Sequence, residues 1–153
     1  MYFENYLKEL GNKKIKVFVD MDGTIVDYVV GDVINFEGRR PLTHSIKNLE
    51  NINNVMQNVE IYVLSVTRMN SGIKQKIEWI QKHVPFIKKE NIIILAREDN
   101  DFLTAKELKA NYLEKYKNDD SIIIMVDDDK LVLDEIKLKN PNVILLKDTV
   151  LVD

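Results

Sequence analysis

Five short runs of apolar residues recur along the chain, and polar or charged positions border each of them. The runs are rich in isoleucine, valine and leucine and are too short for buried helices, so we predict that they form strands. They cover residues 15–19, 61–64, 92–95, 122–126 and 143–146. The later runs are apolar almost throughout, which is typical of parallel strands covered on both faces.

Between these runs, apolar positions spaced by three or four residues predict amphipathic helices. The helical patterns cover residues 45–58, 71–83, 104–116 and 130–138. The third pattern opens with Thr104 and Glu107, which together form a capping-box signature. Because strands and helices alternate, the sequence predicts an α/β, three-layer Rossmann-like domain with a parallel central sheet.

Residues 28–41 interrupt this alternation. The segment is β-prone and is broken by two glycines, so we predict a short β-hairpin that forms a flap. It is too short for a large cap domain, and we therefore expect residues 1–153 to form a single domain. Arg39 and Arg40 lie on this segment, where they either contact an acidic substrate or form a solvated pair.

Composition narrows the possible functions. The 153 residues match one ordinary domain, and 45% of them are hydrophobic, which is enough for a real core. The net charge of −3 disfavours a basic nucleic-acid-binding face. The chain has no cysteine, which excludes thiolate catalysis and cysteine metal sites. It has no leader-like start and no apolar stretch of roughly 20 residues, so we expect a cytoplasmic protein without membrane contacts.

Two predicted strands end in carboxylates. Asp20 and Asp22 follow the first strand, and Asp127 and Asp128 follow the fourth. Because ligands bind beyond the carboxyl ends of strands in open α/β sheets, we expect these side chains to meet at one site. Facing carboxylates repel each other unless a cation lies between them, and oxygen ligands of this kind suit Mg²⁺.

A hydroxyl group and a lysine extend this set. Ser65 ends the second strand, and Thr67 lies slightly further along the same segment. Lys106 lies near the start of the helix at 104–116, where exposed backbone N–H groups favour an anion, and Lys109 competes with it. We prefer Lys106 because it is closer to the predicted cap. Carboxylates, a magnesium ion, a hydroxyl and a lysine form a set suited to phosphoryl transfer.

In this order, the four features resemble the motifs of the haloacid dehalogenase-like (HAD) phosphatase superfamily. The first and most specific motif is matched by Asp20-Met21-Asp22-Gly23-Thr24. The other three follow at Leu64-Ser65, Lys106 and Asp127-Asp128. The resemblance implies a Mg²⁺-dependent phosphomonoesterase that acts through an aspartyl-phosphate intermediate.

The resemblance also implies a role for each matched residue. Asp20 would be the nucleophile and a metal ligand. Asp22 would protonate the leaving group and then activate water, while its backbone carbonyl binds Mg²⁺. Ser65 and Lys106 would bind the phosphoryl group. Asp127 and Asp128 would bind the metal.

A second, local resemblance concerns the substrate. Residues 74–85 resemble the helix after the second motif in the deoxyribonucleotidase-like branch, which implies a small phosphorylated metabolite such as a nucleotide and a 5′-nucleotidase activity. The long cap of that branch is absent. Small members without a cap often shield the site with a partner subunit or a large substrate, so a homo-oligomer is one expectation.

Two other functions use the same residue types. A receiver domain for phospho-aspartate signalling also combines aspartates, a hydroxyl, a lysine and Mg²⁺ on a doubly wound sheet. Its acceptor aspartate ends the third strand, whereas the strand after Tyr62 ends here in Ser65, so the order disfavours this function. The other alternative is a catalytically silent HAD-fold binding module, although no catalytic residue type is missing.

Overall fold

The computed structural model describes residues 1–28 and 36–152. The five strands within them are β1 (Ile15–Val19), β2 (Val59–Thr67), β3 (Ile92–Ala96), β4 (Ile122–Asp127) and β5 (Ile144–Lys147). They form one sheet in the order β3-β2-β1-β4-β5, and every pairing is parallel. The predicted fold class is confirmed.

Five α-helices flank this sheet in the described part of the chain: α1 (Tyr2–Glu9), α2 (Thr43–Val55), α3 (Ser71–His83), α4 (Ala105–Leu113) and α5 (Lys130–Lys139). The four predicted helices are confirmed with boundaries shifted by a few residues. The predicted third helix ends earlier, at Leu113, and continues as a 3₁₀ turn, Glu114–Tyr116. The helix α1 was not predicted, and it buries Phe3 and Leu7.

Two hydrophobic cores cover the two faces of the sheet. The first contains apolar residues of α1, α2 and α3, and the second contains those of α4 and α5. The central strand β1 alternates between them, with Val17 and Val19 in the first core and Phe18 in the second. Burying a valine or phenylalanine side chain completely contributes about 1.5–3 kcal/mol to the stability of the fold. Because β1 is buried on both sides, its sequence is almost continuously apolar.

The strand order reverses at β1, which lies between β2 and β4. In an open α/β sheet such a reversal leaves a crevice beyond the carboxyl ends of the strands. The Asp20 N–H donates to the Val126 carbonyl at 2.9 Å, so the β1–β4 pairing extends to the first acidic residue. Asp20, Ser65 and Asp127 therefore lie at the same edge of the sheet.

Half of the predicted flap, residues 29–35, lies outside the described residues. On either side of that gap, Val26 forms an antiparallel bridge with Pro41, and the Asp27 N–H donates to the Arg40 carbonyl at 2.8 Å. The two ends of the segment therefore run side by side. Among the described residues, no helix is both long enough and apolar enough to cross a bilayer.

Candidate active site

A tight turn follows β1. The Met21 carbonyl accepts the backbone N–H groups of Thr24, Ile25 and Val26 at 3.2, 3.0 and 3.1 Å. Because the chain reverses directly after Asp20, Asp22 returns to the same edge of the sheet. Asp20 and Asp22 both line a cavity of about 230 Å³ at this edge.

Gly23 makes this turn possible in two ways. Its φ of +82° lies in the left-handed region, which side chains other than glycine rarely adopt. A Cβ atom at this position would also collide with the Asp128 carboxylate. The glycine of the first motif therefore lets the acidic tip of β4 approach the turn after β1.

Three carboxylates meet in the cavity. One oxygen each from Asp20, Asp127 and Asp128 lie within 4.8 Å of one another. Asp20 and Asp127 are buried, and Asp128 is partly exposed. Burial raises the pKa of both Asp127 and Asp128, and the neighbouring Asp20 carboxylate raises both further. The cluster is therefore an unfavourable place for uncompensated negative charge.

Lys109 supplies part of the compensation. Its side chain is buried, and its Nζ donates to Asp20 Oδ1 at 2.6 Å and to Asp127 Oδ2 at 2.8 Å. Burial by itself would lower the pKa of Lys109, but the Asp20 and Asp127 carboxylates outweigh it and hold that pKa above its ordinary value. The ammonium group thus remains charged at the centre of the cluster.

The structure places Lys106 away from this cluster, although we predicted from the sequence that Lys106, rather than Lys109, binds the phosphoryl group. Lys106 is exposed, and it makes no hydrogen bond or ion pair with the site carboxylates among the described residues. Helical side chains lean towards the helix N-terminus, so Lys109, one turn further along α4, reaches back to the strand tips. Lys109, the alternative, occupies the expected position.

Ser65 and Thr67 also lie in different surroundings. Ser65 is almost completely buried and lines the same cavity as Asp20. Thr67 lines a neighbouring cavity, and its hydroxyl packs against Gly72 so closely that a Cβ there would collide with it. The arrangement brings Ser65 to the carboxylates and leaves Thr67 beside them.

Asp22 is held separately from the carboxylate cluster. Its Oδ2 accepts a hydrogen bond from Lys76 Nζ at 2.9 Å, and its Oδ1 accepts one from Arg39 Nη2 at 3.3 Å. Lys76 Nζ also donates to Ser65 Oγ and to the Val66 carbonyl, both at 3.0 Å. A buried lysine on α3 therefore links Asp22 to Ser65.

Arg39 is buried, whereas Arg40 is exposed and pairs with Asp27. The Arg39 guanidinium also donates to the Asp27 carbonyl at 2.6 Å and lies over the Phe36 ring, 4.8 Å from its centroid. Trp79 Nε1 donates to the Arg39 carbonyl at 2.9 Å. Of the two arginines that the sequence analysis paired, one belongs to the site and the other to the surface.

Lys76 was not predicted as a site residue from the sequence, although a signal was present. Lys76 falls on the apolar stripe of α3, three residues after Ile73 and four before Ile80. A lysine in an apolar stripe is either a defect or a buried group with partners, because a buried charge requires them. The same periodicity that predicted α3 could therefore have marked Lys76.

The cluster also fits a divalent cation. When all are ionised, Asp20, Asp127 and Asp128 together with Lys109 carry a net charge of −2, and their free oxygens are hard ligands. A divalent ion would relieve the repulsion that raises the pKa values of Asp127 and Asp128. The Asp22 carboxylate is outside the cluster, so a contribution from its backbone carbonyl remains a prediction.

The whole constellation falls within a known family. The sequence model of the family described as 5′ nucleotidase, deoxy (pyrimidine), cytosolic type C protein matches residues 20–128, well over half of the chain. This range runs from the first acidic strand tip to the second. No curated protein gives a significant match.

Three solved structures share the fold. A chain of the Pnkp1/Rnl/Hen1 RNA repair complex has a TM-score of 0.65 and 18% identity over 90% of this chain and 43% of its own. The N-terminal part of BF1531 from Bacteroides fragilis, which contains a phosphatase domain and was complexed with Mg, has a TM-score of 0.58 and 16% identity over 94% and 38%. DsGPDH of Dunaliella salina has a TM-score of 0.54 and 19% identity over 91% of this chain and 24% of its own.

The chain thus spans less than half the length of each of these structures, and at such identities they establish the fold alone. The family match spans the residues of the candidate site, and it confirms the resemblance to HAD-like phosphatases. The chain belongs to the 5′-nucleotidase, deoxy (pyrimidine), cytosolic type C family of HAD-like phosphatases.

Proposed function

We propose that the chain is a Mg²⁺-dependent phosphomonoesterase in which Asp20 attacks phosphorus to form an aspartyl-phosphate. One observation carries the proposal: the Asp20 carboxylate lies at a strand tip among Asp127, Asp128 and Lys109 and shares its cavity with Asp22 and Ser65. This set combines a nucleophile, cationic compensation and hydrogen-bond donors at one edge of the sheet.

The reaction has two displacements. In the first, an Asp20 oxygen forms a bond to phosphorus, the ester P–O bond breaks, and the leaving alkoxide takes a proton from Asp22. In the second, Asp22 accepts a proton from water, the water oxygen bonds to phosphorus, and the bond to Asp20 breaks. Ser65 and Lys109 donate hydrogen bonds to the phosphoryl oxygens. Inorganic phosphate is released and both aspartates return to their initial states.

The metal would be held by Asp20, Asp127 and Asp128, with the Asp22 carbonyl as a further ligand. When bound, Mg²⁺ supplies positive charge that offsets the negative charge of the phosphoryl group. The carboxylate cluster supports a divalent ion, and the choice of Mg²⁺ follows from its oxygen-only donor set.

We infer that the substrate is a nucleoside monophosphate. The family description names a 5′ nucleotidase, and a second cavity of about 310 Å³ adjoins the site through Asp22, Tyr28 and Val66. Its size is at the lower end of the range for small-molecule pockets. The exposed Tyr28 lines this cavity and offers an aromatic ring to a base, and the cavity is also lined by Arg68. The cytosolic type named by the family agrees with the cytoplasmic location that we propose.

A substrate panel tests this proposal. Purified protein would be assayed for phosphate release from nucleoside 3′- and 5′-monophosphates, sugar phosphates and oligonucleotides with terminal phosphates, with Mg²⁺ and with a chelator. We expect Mg²⁺-dependent release, fastest from a nucleoside monophosphate. Fastest release from oligonucleotide ends would keep the phosphatase and replace the substrate class. No release from any ester, together with a long-lived phosphoprotein from acetyl phosphate, would favour a receiver domain.

A further inference from the structure

Lys76 lies at the side of the site opposite Lys109, and the reaction above gives it no direct role. Lys76 is on α3, and its side chain is 8% exposed. An ammonium group carries three N–H bonds. In Lys76 these meet three acceptors, namely Asp22 Oδ2 at 2.9 Å, Ser65 Oγ at 3.0 Å and the Val66 carbonyl at 3.0 Å. No N–H of Lys76 is left for a phosphoryl oxygen, although its side chain lines the adjoining cavity.

Lys109 has a different balance of donors and acceptors. Its ammonium donates to Asp20 Oδ1 at 2.6 Å and to Asp127 Oδ2 at 2.8 Å, which uses two of its three N–H bonds. The third N–H remains for a phosphoryl oxygen. The two buried lysines at this edge therefore differ in whether they have an N–H free to bind a phosphoryl oxygen.

We infer that Lys76 is a positioning residue, which holds the Asp22 carboxylate and the Ser65 hydroxyl in their reactive orientations without donating a hydrogen bond to the phosphoryl group. This inference rests on the proposed phosphatase function. It is carried by the complete saturation of the Lys76 donors and by the identity of two of its three acceptors.

The effect on Ser65 concerns its proton. Because Lys76 donates to Ser65 Oγ, the oxygen acts as an acceptor there, and its own hydrogen must point in another direction. Ser65 makes no hydrogen bond as a donor among the described residues, and it lines the cavity that contains Asp20. Lys76 therefore leaves the Ser65 proton available to a phosphoryl oxygen.

The effect on Asp22 concerns rotation of its carboxylate. Lys76 holds Oδ2 and Arg39 holds Oδ1, so the two oxygens are fixed by cations that lie on different segments. Arg39 is itself fixed by Trp79, whose Nε1 donates to the Arg39 carbonyl. Trp79 is on α3 three residues after Lys76, so a single helix orients Asp22 both directly and through Arg39.

The dependence on the leaving group separates positioning from other roles. An alkyl leaving group requires a proton from Asp22, whereas a 4-nitrophenolate leaves readily without one. General acid catalysis contributes about 10²–10⁴-fold where it is needed. A misplaced Asp22 should therefore slow hydrolysis of an alkyl ester much more than that of the aryl ester. A change that only loosens the fold should slow both alike.

The test compares Lys76→Met with the wild type on thymidine 5′-monophosphate and on 4-nitrophenyl phosphate, with inorganic phosphate as an inhibitor. We expect kcat to fall about 100-fold on the nucleotide and about tenfold or less on the aryl ester. The inhibition constant of inorganic phosphate should change less than about threefold, because Lys76 does not contact the phosphoryl group. Lys74→Met, an exposed substitution on the same helix, should leave all three values unchanged.

Two further variants complete the test. Arg39→Met should show the same preferential loss on the nucleotide, and it replaces Lys76→Met if circular dichroism shows that the latter does not fold. In an Asp22→Asn background, Lys76→Met should not change the ratio of the two rates further. Equal losses on both esters, or inhibition by phosphate weakened tenfold, would overturn the positioning role. A wild type that hydrolyses neither ester would instead contradict the proposed function, and the positioning role would fall with it.

Discussion

Lys109 and Lys76 are buried lysines that approach the same sheet edge from opposite faces. Lys109 is on α4 and pairs with two buried carboxylates, whereas Lys76 is on α3 and meets one partly exposed carboxylate, a hydroxyl and a carbonyl. The same side chain is thus placed once in a region of concentrated negative charge and once in a hydrogen-bond network. The comparison teaches that residue type and burial do not define a role, and that the number and charge of the acceptors do.

The largest loss of activity should come from substituting Asp20, the carboxylate that accepts a hydrogen bond from Lys109 and not from Lys76. Asp20→Asn keeps the shape of the side chain but removes the proposed nucleophile, so kcat should fall by at least about 10⁴-fold on every phosphate ester. Phosphate release with each substrate measures this. Asp134→Asn, at an exposed position on α5, is the matched control and should keep full activity. An Asp20→Asn protein with more than a few per cent of wild-type turnover would contradict the mechanism.

Lys109→Met should cause the next largest loss of activity. It tests whether Lys109, unlike Lys76, binds the phosphoryl group. It removes a donor to the phosphoryl group, so kcat should fall about 10²–10³-fold and inorganic phosphate should bind more weakly. Because Asp20 and Asp127 lose their buried partner, the metal-free protein should also lose about 3–5 kcal/mol of stability. Urea unfolding and inhibition by phosphate measure both effects. Unchanged inhibition would remove the proposed contact of Lys109 with the phosphoryl group.

Mg²⁺ should stabilise the folded protein by binding to the carboxylates of Asp20, Asp127 and Asp128 beside Lys109. A ligand that binds only the folded state at 100 times its Kd adds about 2.7 kcal/mol, which raises Tm by about 5–10 °C for a domain of this size. Thermal melting with and without Mg²⁺ tests this, and Asp127→Asn should abolish most of the shift. Lys74→Met should melt like the wild type in both conditions. No shift in the wild type at millimolar-scale Mg²⁺ would favour a silent binding module.

The smallest effect concerns an ion pair away from the site. Lys16 donates to Asp119 at 2.7 Å, and this hydrogen bond lowers the pKa of Asp119 to about 2. Because the folded pKa lies below the unfolded value, the pair stabilises the protein above about pH 4, and this contribution is lost as the pH falls towards 2. Both side chains are partly exposed, so Asp119→Asn should cost about 1 kcal/mol or less at pH 7.

Urea unfolding at pH 7 and at pH 3 measures the Lys16 pair. The difference between wild type and Asp119→Asn should shrink at the lower pH, and Asp120→Asn, at an exposed neighbouring position, is the control. A loss as large as that expected for Lys109→Met would mean that burial does not set the strength of these pairs.

The strands and the two acidic strand tips could be predicted because each depends on local pattern. An apolar strand buried on both faces has a continuous apolar sequence, as in β4, Ile122–Asp127. The acidic residue that ends the strand follows directly in the sequence. The parallel sheet follows from the alternation of strands with helices. Helix caps depend on neighbouring residues in the same way: Asp129 is the N-cap of α5, and its side chain accepts the Leu131 N–H at 2.9 Å.

Lys76 left a signal in the apolar stripe of α3, but Lys109 and Arg39 could not be predicted from local pattern in the same way. The choice between Lys106 and Lys109 depends on how α4 lies across the sheet, which no local pattern encodes. Arg39 reaches Asp22 only because the chain after Val26 returns to pair with Pro41. The helix α1 escaped prediction because the apolar positions in 2–9 that it buries, Phe3 and Leu7, are few.

The account depends most on a covalent bond between phosphorus and Asp20. Enzyme mixed with a good substrate and Mg²⁺ should be quenched in acid within milliseconds, digested and examined by mass spectrometry. The account predicts a transient phosphoryl group on the peptide that contains Asp20, and none on that peptide from the Asp20→Asn protein. Hydrolysis of the substrate with no phosphopeptide at any time, or with the phosphoryl group on another residue, would contradict it.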